Sequence, residues 1–110
     1  MLNHEAKAVV FEQPGRMAVR RVGLLAPAAG DCVVDIEWSG ISTGTERLLW
    51  DGRMPPFPGL GYPLVPGYES VGRVRSSGGE AAIPPGARVF VPGSSGFADV
   101  RGLFGGAAQT

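Results

Sequence analysis

Few residues in this 110-residue chain can do chemistry, and their types narrow what that chemistry is. Cysteine occurs once, as Cys32, and histidine once, as His4. A single cysteine excludes an intrachain disulfide and any metal site built from cysteines alone. His4 falls in a terminus expected to fray, where a surface histidine is the ordinary reading. No Gly-x-Gly-x-x-Gly follows a strand and opens a helix; Gly93-Ser94-Ser95-Gly96 and the glycines between Gly102 and Gly106 read as turns, not as a phosphate cradle. Taken by themselves, the polar residues of the chain have plain structural readings: Tyr68 as a packed barrel tyrosine, Glu69 as a partner of Arg73 or Arg88, Thr45 as a helix-start residue.

The elements that must hold these groups are short. Lys7 to Glu12 and Met17 to Val22 read as two arms of a hairpin around Gln13-Pro14-Gly15. Asp31 to Ile41 alternates, which predicts Cys32, Val34, Ile36 and Trp38 on a packed face and Asp35, Glu37 and Ser39 on a wet one. Thr43 and Glu46 have the spacing of a capping box, so a helix is expected from about Thr45 to Trp50, ended by Asp51-Gly52. Between Arg53 and Gly67, Pro55, Pro56, Pro58, Pro63 and Pro66 each remove a backbone donor and predict a long ordered loop. Strands resume at Tyr68 to Arg75, break at Ser76 to Gly79, and return at Ala87 to Val91 and around Phe97 to Val100. The expected fold is mainly β, a small, mostly antiparallel and partly open barrel with one short helix. Residues 102–110 show no cap, charged tail or completed strand, so the chain is expected to continue past Thr110.

Composition bounds the partners. With 44% hydrophobic and 18% charged residues the chain is a globular domain, and 18 glycines and 10 prolines argue against a helical one. Ten basic residues balance ten acidic ones without clustering, which argues against nucleic acid or an anionic membrane as partner. No apolar run approaches the roughly 20 residues needed to cross a bilayer, and no leader pattern opens the chain, so the expected location is the cytoplasm.

The order of several motifs carries a resemblance. Lys7-Ala8-Val9-Val10, Gly40-Ile41-Ser42 with Gly44-Thr45-Glu46, Pro63 to Glu69 with Gly72-Arg73-Val74, Pro85 to Val89, and Gly96 to Val100 together resemble the GroES-like catalytic domain of medium-chain, alcohol dehydrogenase-type dehydrogenases. The resemblance runs through nearly the whole chain, so residues 1–110 are expected to form that substrate-side domain, incomplete and without the nucleotide-binding domain. Within the family, Gly40 to Glu46, Arg53 to Gly59 and Gly61 to Gly72 are similar to the branch that oxidises the 3-(1-hydroxyethyl) group of a bacteriochlorophyllide to acetyl. That implies NAD as acceptor, bound mainly by the missing domain, a tetrapyrrole as substrate, and a homodimer at full length. The fragment alone is expected to be inactive.

The departures from the family are as informative as the matches. Where relatives present a cysteine and a histidine to a catalytic zinc, this chain has Ser42 and Tyr68, both poor ligands beside thiolate and imidazole, so neither catalytic nor structural zinc is expected. The resemblance then implies Tyr68, Glu69 and Thr45 as catalytic candidates, the last at the position of the family's proton-relaying hydroxyl but one residue further from Ser42. Ser42, Trp50, Phe57 and Tyr62 are candidate substrate contacts, the aromatic ones held among rigid prolines where they suit a flat apolar ring or a missing domain. Arg47 is the candidate contact to a cofactor phosphate. Three alternatives stay open: a zinc-free relative acting on another apolar alcohol or ketone, a co-chaperonin-like barrel, which needs a mobile docking loop, and an oligonucleotide-binding barrel, which needs a basic groove.

Overall fold

The computed structural model describes residues 2–110, and side chains from Glu5 onward; the expectation for His4 lies outside the described side chains. Its elements are β1 (Leu2–Gln13), β2 (Arg16–Leu25), β3 (Cys32–Ser39), α1 (Thr45–Asp51), β4 (Leu64–Pro66), β5 (Ser70–Ser77), β6 (Arg88–Val91) and β7 (Arg101–Leu103). They form one sheet in the order β2-β1-β4-β7 and a second in the order β3-β5-β6. All pairs are antiparallel except β4 with β7, so the expected mainly-β architecture with one helix is the one observed.

The β1–β2 hairpin is longer than its apolar alternation suggests, because the ladder runs from Leu2↔Leu25 to Gln13↔Arg16 and carries charged residues outward along its length. Inward it contributes Ala8, Val10 and Val22, which with Val65 and Ala108 make one core cluster. Phe11 joins Leu49, Leu64 and Leu103 in a second cluster, and Trp50 sets its ring edge against Phe11 at 5.4 Å between centroids. The second cluster anchors α1 to the sheet.

Several expectations are corrected. The alternation of β3 breaks because Ile36 pairs with Gly72 and Trp38 with Val71, which leaves one extra residue on β3 and reverses the facing of the residues beyond it. Trp38 is therefore 78% exposed rather than packed, while Asp35 and Glu37 face Arg75, Arg73 and Arg88 as ion pairs. The proline-rich stretch is not loop throughout: Leu64 and Val65 carry the β4 ladder and Pro66 ends it, opposite β1 on one side and β7 on the other. The strand expected from Tyr68 starts two residues later, at Ser70. Phe97 makes a single bridge to Leu24, and the strand expected there lies at Arg101–Leu103 instead.

Residues 104–110 form no strand but are tied in by an isolated bridge between Ala8 and Ala108 and by backbone hydrogen bonds. Val9 donates its amide to the Ala107 carbonyl at 2.8 Å, Gln109 donates to Lys7 at 2.9 Å, and Ile36 donates to Gln109 at 2.9 Å. This segment is the seam joining β1 of one sheet to β3 of the other. A sequence pattern could not show it, since its glycines and alanines carry no apolar period.

Candidate functional site

The site grows from the turn between β3 and α1. Beyond Ser39 the chain stays beside β5 through Gly40, whose amide donates to the Glu69 carbonyl at 2.6 Å. The two backbones come so close that a Cβ on Gly40 would stand 3.3 Å from the Glu69 Cβ and 3.6 Å from Glu69 Oε2. Here glycine gives the carboxylate its room.

Two residues further, Ser42 precedes the helix. The expected box between Thr43 and Glu46 is displaced by one residue: Gly44 is the N-cap, with no side-chain cap, and Ser42 is the partner of Glu46. The Glu46 carboxylate accepts the Ser42 amide hydrogen, and Ser42 Oγ accepts the Thr45 amide at 3.4 Å. The spacing is longer than the capping-box rule because the chain makes an extra turn residue at Gly44 before the helix begins. At the other end Gly52, with φ 73°, stops α1 in the left-handed conformation as expected.

Tyr68 arrives from the opposite side. Gly106 donates to Gly67 at 2.8 Å and Ala107 to Pro66 at 2.9 Å, so the segment before Tyr68 is braced by the seam. The Tyr68 ring meets the edge of Phe104 at 5.8 Å and 89°, and its hydroxyl donates to Ser42 Oγ at 2.8 Å. Ser70, fully buried, ties the start of β5 to β6 through the Val91 carbonyl.

Ser42, Tyr68 and Thr45 are thus brought together, Thr45 through its amide and not its hydroxyl. Glu69 adjoins them but is exposed, and none of the ion pairs among the described residues includes it; Arg73 and Arg88 pair with Glu37. The carboxylate that is buried is Glu46, at 7% exposure. Burial raises its carboxyl above the ordinary 4.5, the Ser42 amide offsets part of that, and the charge of Glu69 adds to it. Sequence reasoning marks Glu46 only as a cap partner; the signal that singles it out is the Ser42-x-x-x-Glu46 spacing flanked by apolar helix positions.

The remaining candidates fall elsewhere. Trp50 and Tyr62 pack into the second core cluster, and the Tyr62 hydroxyl donates to the Leu49 carbonyl. Phe57 is exposed, and Arg47 projects into solvent with Asp51 at 3.7 Å. Two clefts, of about 290 and 300 Å³, open between the sheets and beside the seam; neither is lined by a site candidate.

The donor set does not fit the zinc of this fold. Ser42 and Tyr68 offer neutral oxygens bonded to each other, and no group of three or more His, Cys, Asp or Glu gathers among the described residues. No described helix is long and apolar enough to cross a membrane.

A two-sheet barrel with this helix and these turn positions defines a GroES-like domain of the alcohol dehydrogenase type. Residues 28–110 match the alcohol dehydrogenase GroES-like domain family, and the chain belongs to it. It is 52% identical over 106 residues, 96% of the chain, to the 2-desacetyl-2-hydroxyethyl bacteriochlorophyllide A dehydrogenase of Rhodobacter capsulatus. It is 51% identical over 107 residues, 93% of the chain, to the protein of the same name from Cereibacter sphaeroides. The chain spans about a third (34%) of the length of these curated relatives. Among solved structures it resembles a protein described as a zinc-binding dehydrogenase from Sinorhizobium meliloti bound to NADP, with TM-score 0.64 and 38% identity over 78% of this chain and 24% of that one. It also resembles the alcohol dehydrogenase TADH from Thermus sp., with TM-score 0.62 and 34% identity over 76% of this chain and 23% of that one.

Proposed function

We propose that this chain is the substrate-side part of a nicotinamide-dependent dehydrogenase that oxidises the 1-hydroxyethyl group of a bacteriochlorophyllide to acetyl, without a zinc ion. The observation that carries the reading is the 2.8 Å hydrogen bond from Tyr68 to Ser42, the two residues that the resemblance matches to the family's metal ligands. The identity to two relatives named for that substrate, above half over nearly the whole chain, supports the substrate class.

Oxidising a secondary alcohol removes a hydride from carbon and a proton from oxygen. The hydride goes to the nicotinamide, NAD in this reading, held mainly by chain outside these residues; the proton needs a path. In the proposal the substrate hydroxyl gives its proton to the Tyr68 oxygen as hydride leaves carbon, Tyr68 gives its own to Ser42 Oγ, and Ser42 gives its own to a solvent water, so each oxygen ends with one proton. Glu69, solvent-facing beside Tyr68, supplies a carboxylate that can take the proton from that water. The exposed Phe57 and Phe104 offer apolar surface for the macrocycle edge, and the solvent-facing Arg47, beside Asp51, is the contact to a cofactor phosphate.

The test is turnover by the protein carrying this chain at the full length of its relatives. With NAD and the hydroxyethyl bacteriochlorophyllide it should form NADH and the acetyl pigment in equal amounts, without stoichiometric zinc. Tyr68→Phe should lower kcat/KM by about a hundredfold. No turnover with NAD or NADP, or one bound zinc required per active site, would refute the reading.

A further inference from the structure

We infer that Glu46 is a positioning residue for the Tyr68–Ser42 pair, an inference that rests on the reading of that pair as the proton path. Ser42 sits in the stretch Gly40-Ile41-Ser42-Thr43-Gly44, between β3 and α1, where neither a ladder nor a helix fixes the backbone. Something outside the stretch must hold it. Its hydroxyl is engaged by Tyr68 at 2.8 Å and by the Thr45 amide at 3.4 Å, and its amide is engaged by the Glu46 carboxylate. Ser42 is therefore gripped at both its backbone and its side chain, and Glu46 supplies the backbone grip.

The burial of that carboxylate is the unusual part. A cap at a helix start is served by a solvent-facing side chain, and an ionisable group taken from water carries a desolvation cost. Glu46 is 7% exposed, on the same helix face as Leu49 at 1%, so the packing that docks α1 also fixes where the carboxylate lies. A second carboxylate, Glu69, stands near enough to act on it through charge. The arrangement sacrifices hydration to give Ser42 one position. Hydroxyl relays depend on such definition, since a displacement of about 1 Å can cost about a hundredfold in rate.

The experiment is a double-mutant cycle in the full-length enzyme, read as kcat and KM separately. Glu46→Ala should lower kcat about 10- to 100-fold with little change in KM, and Glu46→Gln, which keeps an acceptor of the same reach, should stay within about threefold of wild type. Glu46→Asp, one methylene short of Ser42, should fall about tenfold and provides the measurement if the alanine variant does not fold. In a Tyr68→Phe background the loss from Glu46→Ala or Glu46→Asp should shrink to less than about threefold, because the pair it positions is already broken. Equal losses in both backgrounds, or an unchanged kcat in the variants that remove the grip, would overturn the inference while leaving the proposed function in place. A Tyr68→Phe enzyme with wild-type kcat would instead remove the proton path itself, and both readings with it.

Discussion

Gly40 and Glu69 are bonded through their backbones at 2.6 Å, and the Glu69 side chain lies alongside the place a Cβ on residue 40 would occupy. Gly40→Ala is expected to lower stability by about 1 kcal/mol, because the new methyl would stand 3.3 Å from the Glu69 Cβ, which is fixed to a backbone bonded to residue 40 and can give only by moving that bond. Denaturant unfolding checks that. Turnover by the folded enzyme should fall too if Glu69 receives the proton, and an unaltered rate would remove Glu69 from the path.

Glu46 predicts a pH dependence of stability. Its folded pKa is raised above 4.5, so folding favours the protonated form. The associated stability is fully present below the unfolded pKa, and it declines as pH rises through the window above 4.5 until the folded carboxyl ionises. Glu46→Gln cannot ionise, so the variant should gain relative to wild type between about pH 4 and about pH 7, read from urea midpoints at both. A constant difference across that range would show that the carboxyl titrates as it does in the unfolded chain.

Tyr62 is tied to the Leu49 carbonyl by its hydroxyl, and burial pushes its phenol above the ordinary 10.0. Tyr62→Phe is expected to cost about 1 kcal/mol, since one partner of a half-buried hydrogen bond is lost while the ring remains. KM for the pigment should not change. A raised KM with unaltered stability would return Tyr62 to the substrate site.

Arg47 has a side chain 81% exposed and an Asp51 partner at 3.7 Å on the next turn. A solvated pair of this kind contributes less than about 0.5 kcal/mol, so Arg47→Ala should leave the melting curve in place. A cofactor contact in the complete enzyme would appear as a higher KM for the nucleotide alone. An unchanged nucleotide KM would assign Arg47 to the solvated surface.

Much of the site is visible in residue type. The helix from Thr45 and the left-handed stop at Gly52 come from local chemistry and are observed, and the family match bears out the resemblance from which Ser42 and Tyr68 were proposed as the site. The buried partner is not visible. Thr43 and Ser42 are both competent caps three or four residues ahead of Glu46, and only the path of the chain through Gly44 selects Ser42.

Alternation of side chains determined by itself that the chain is mainly β, because apolar residues two apart must share a face wherever a ladder runs without interruption. The bulge that turns Trp38 outward, the seam through Ala107 and Gln109, and the bond between Tyr68 and Ser42 were decided only in three dimensions. Each joins residues far apart in the chain, so their positions depend on backbone pairing and on how the two sheets close, which local propensity does not encode.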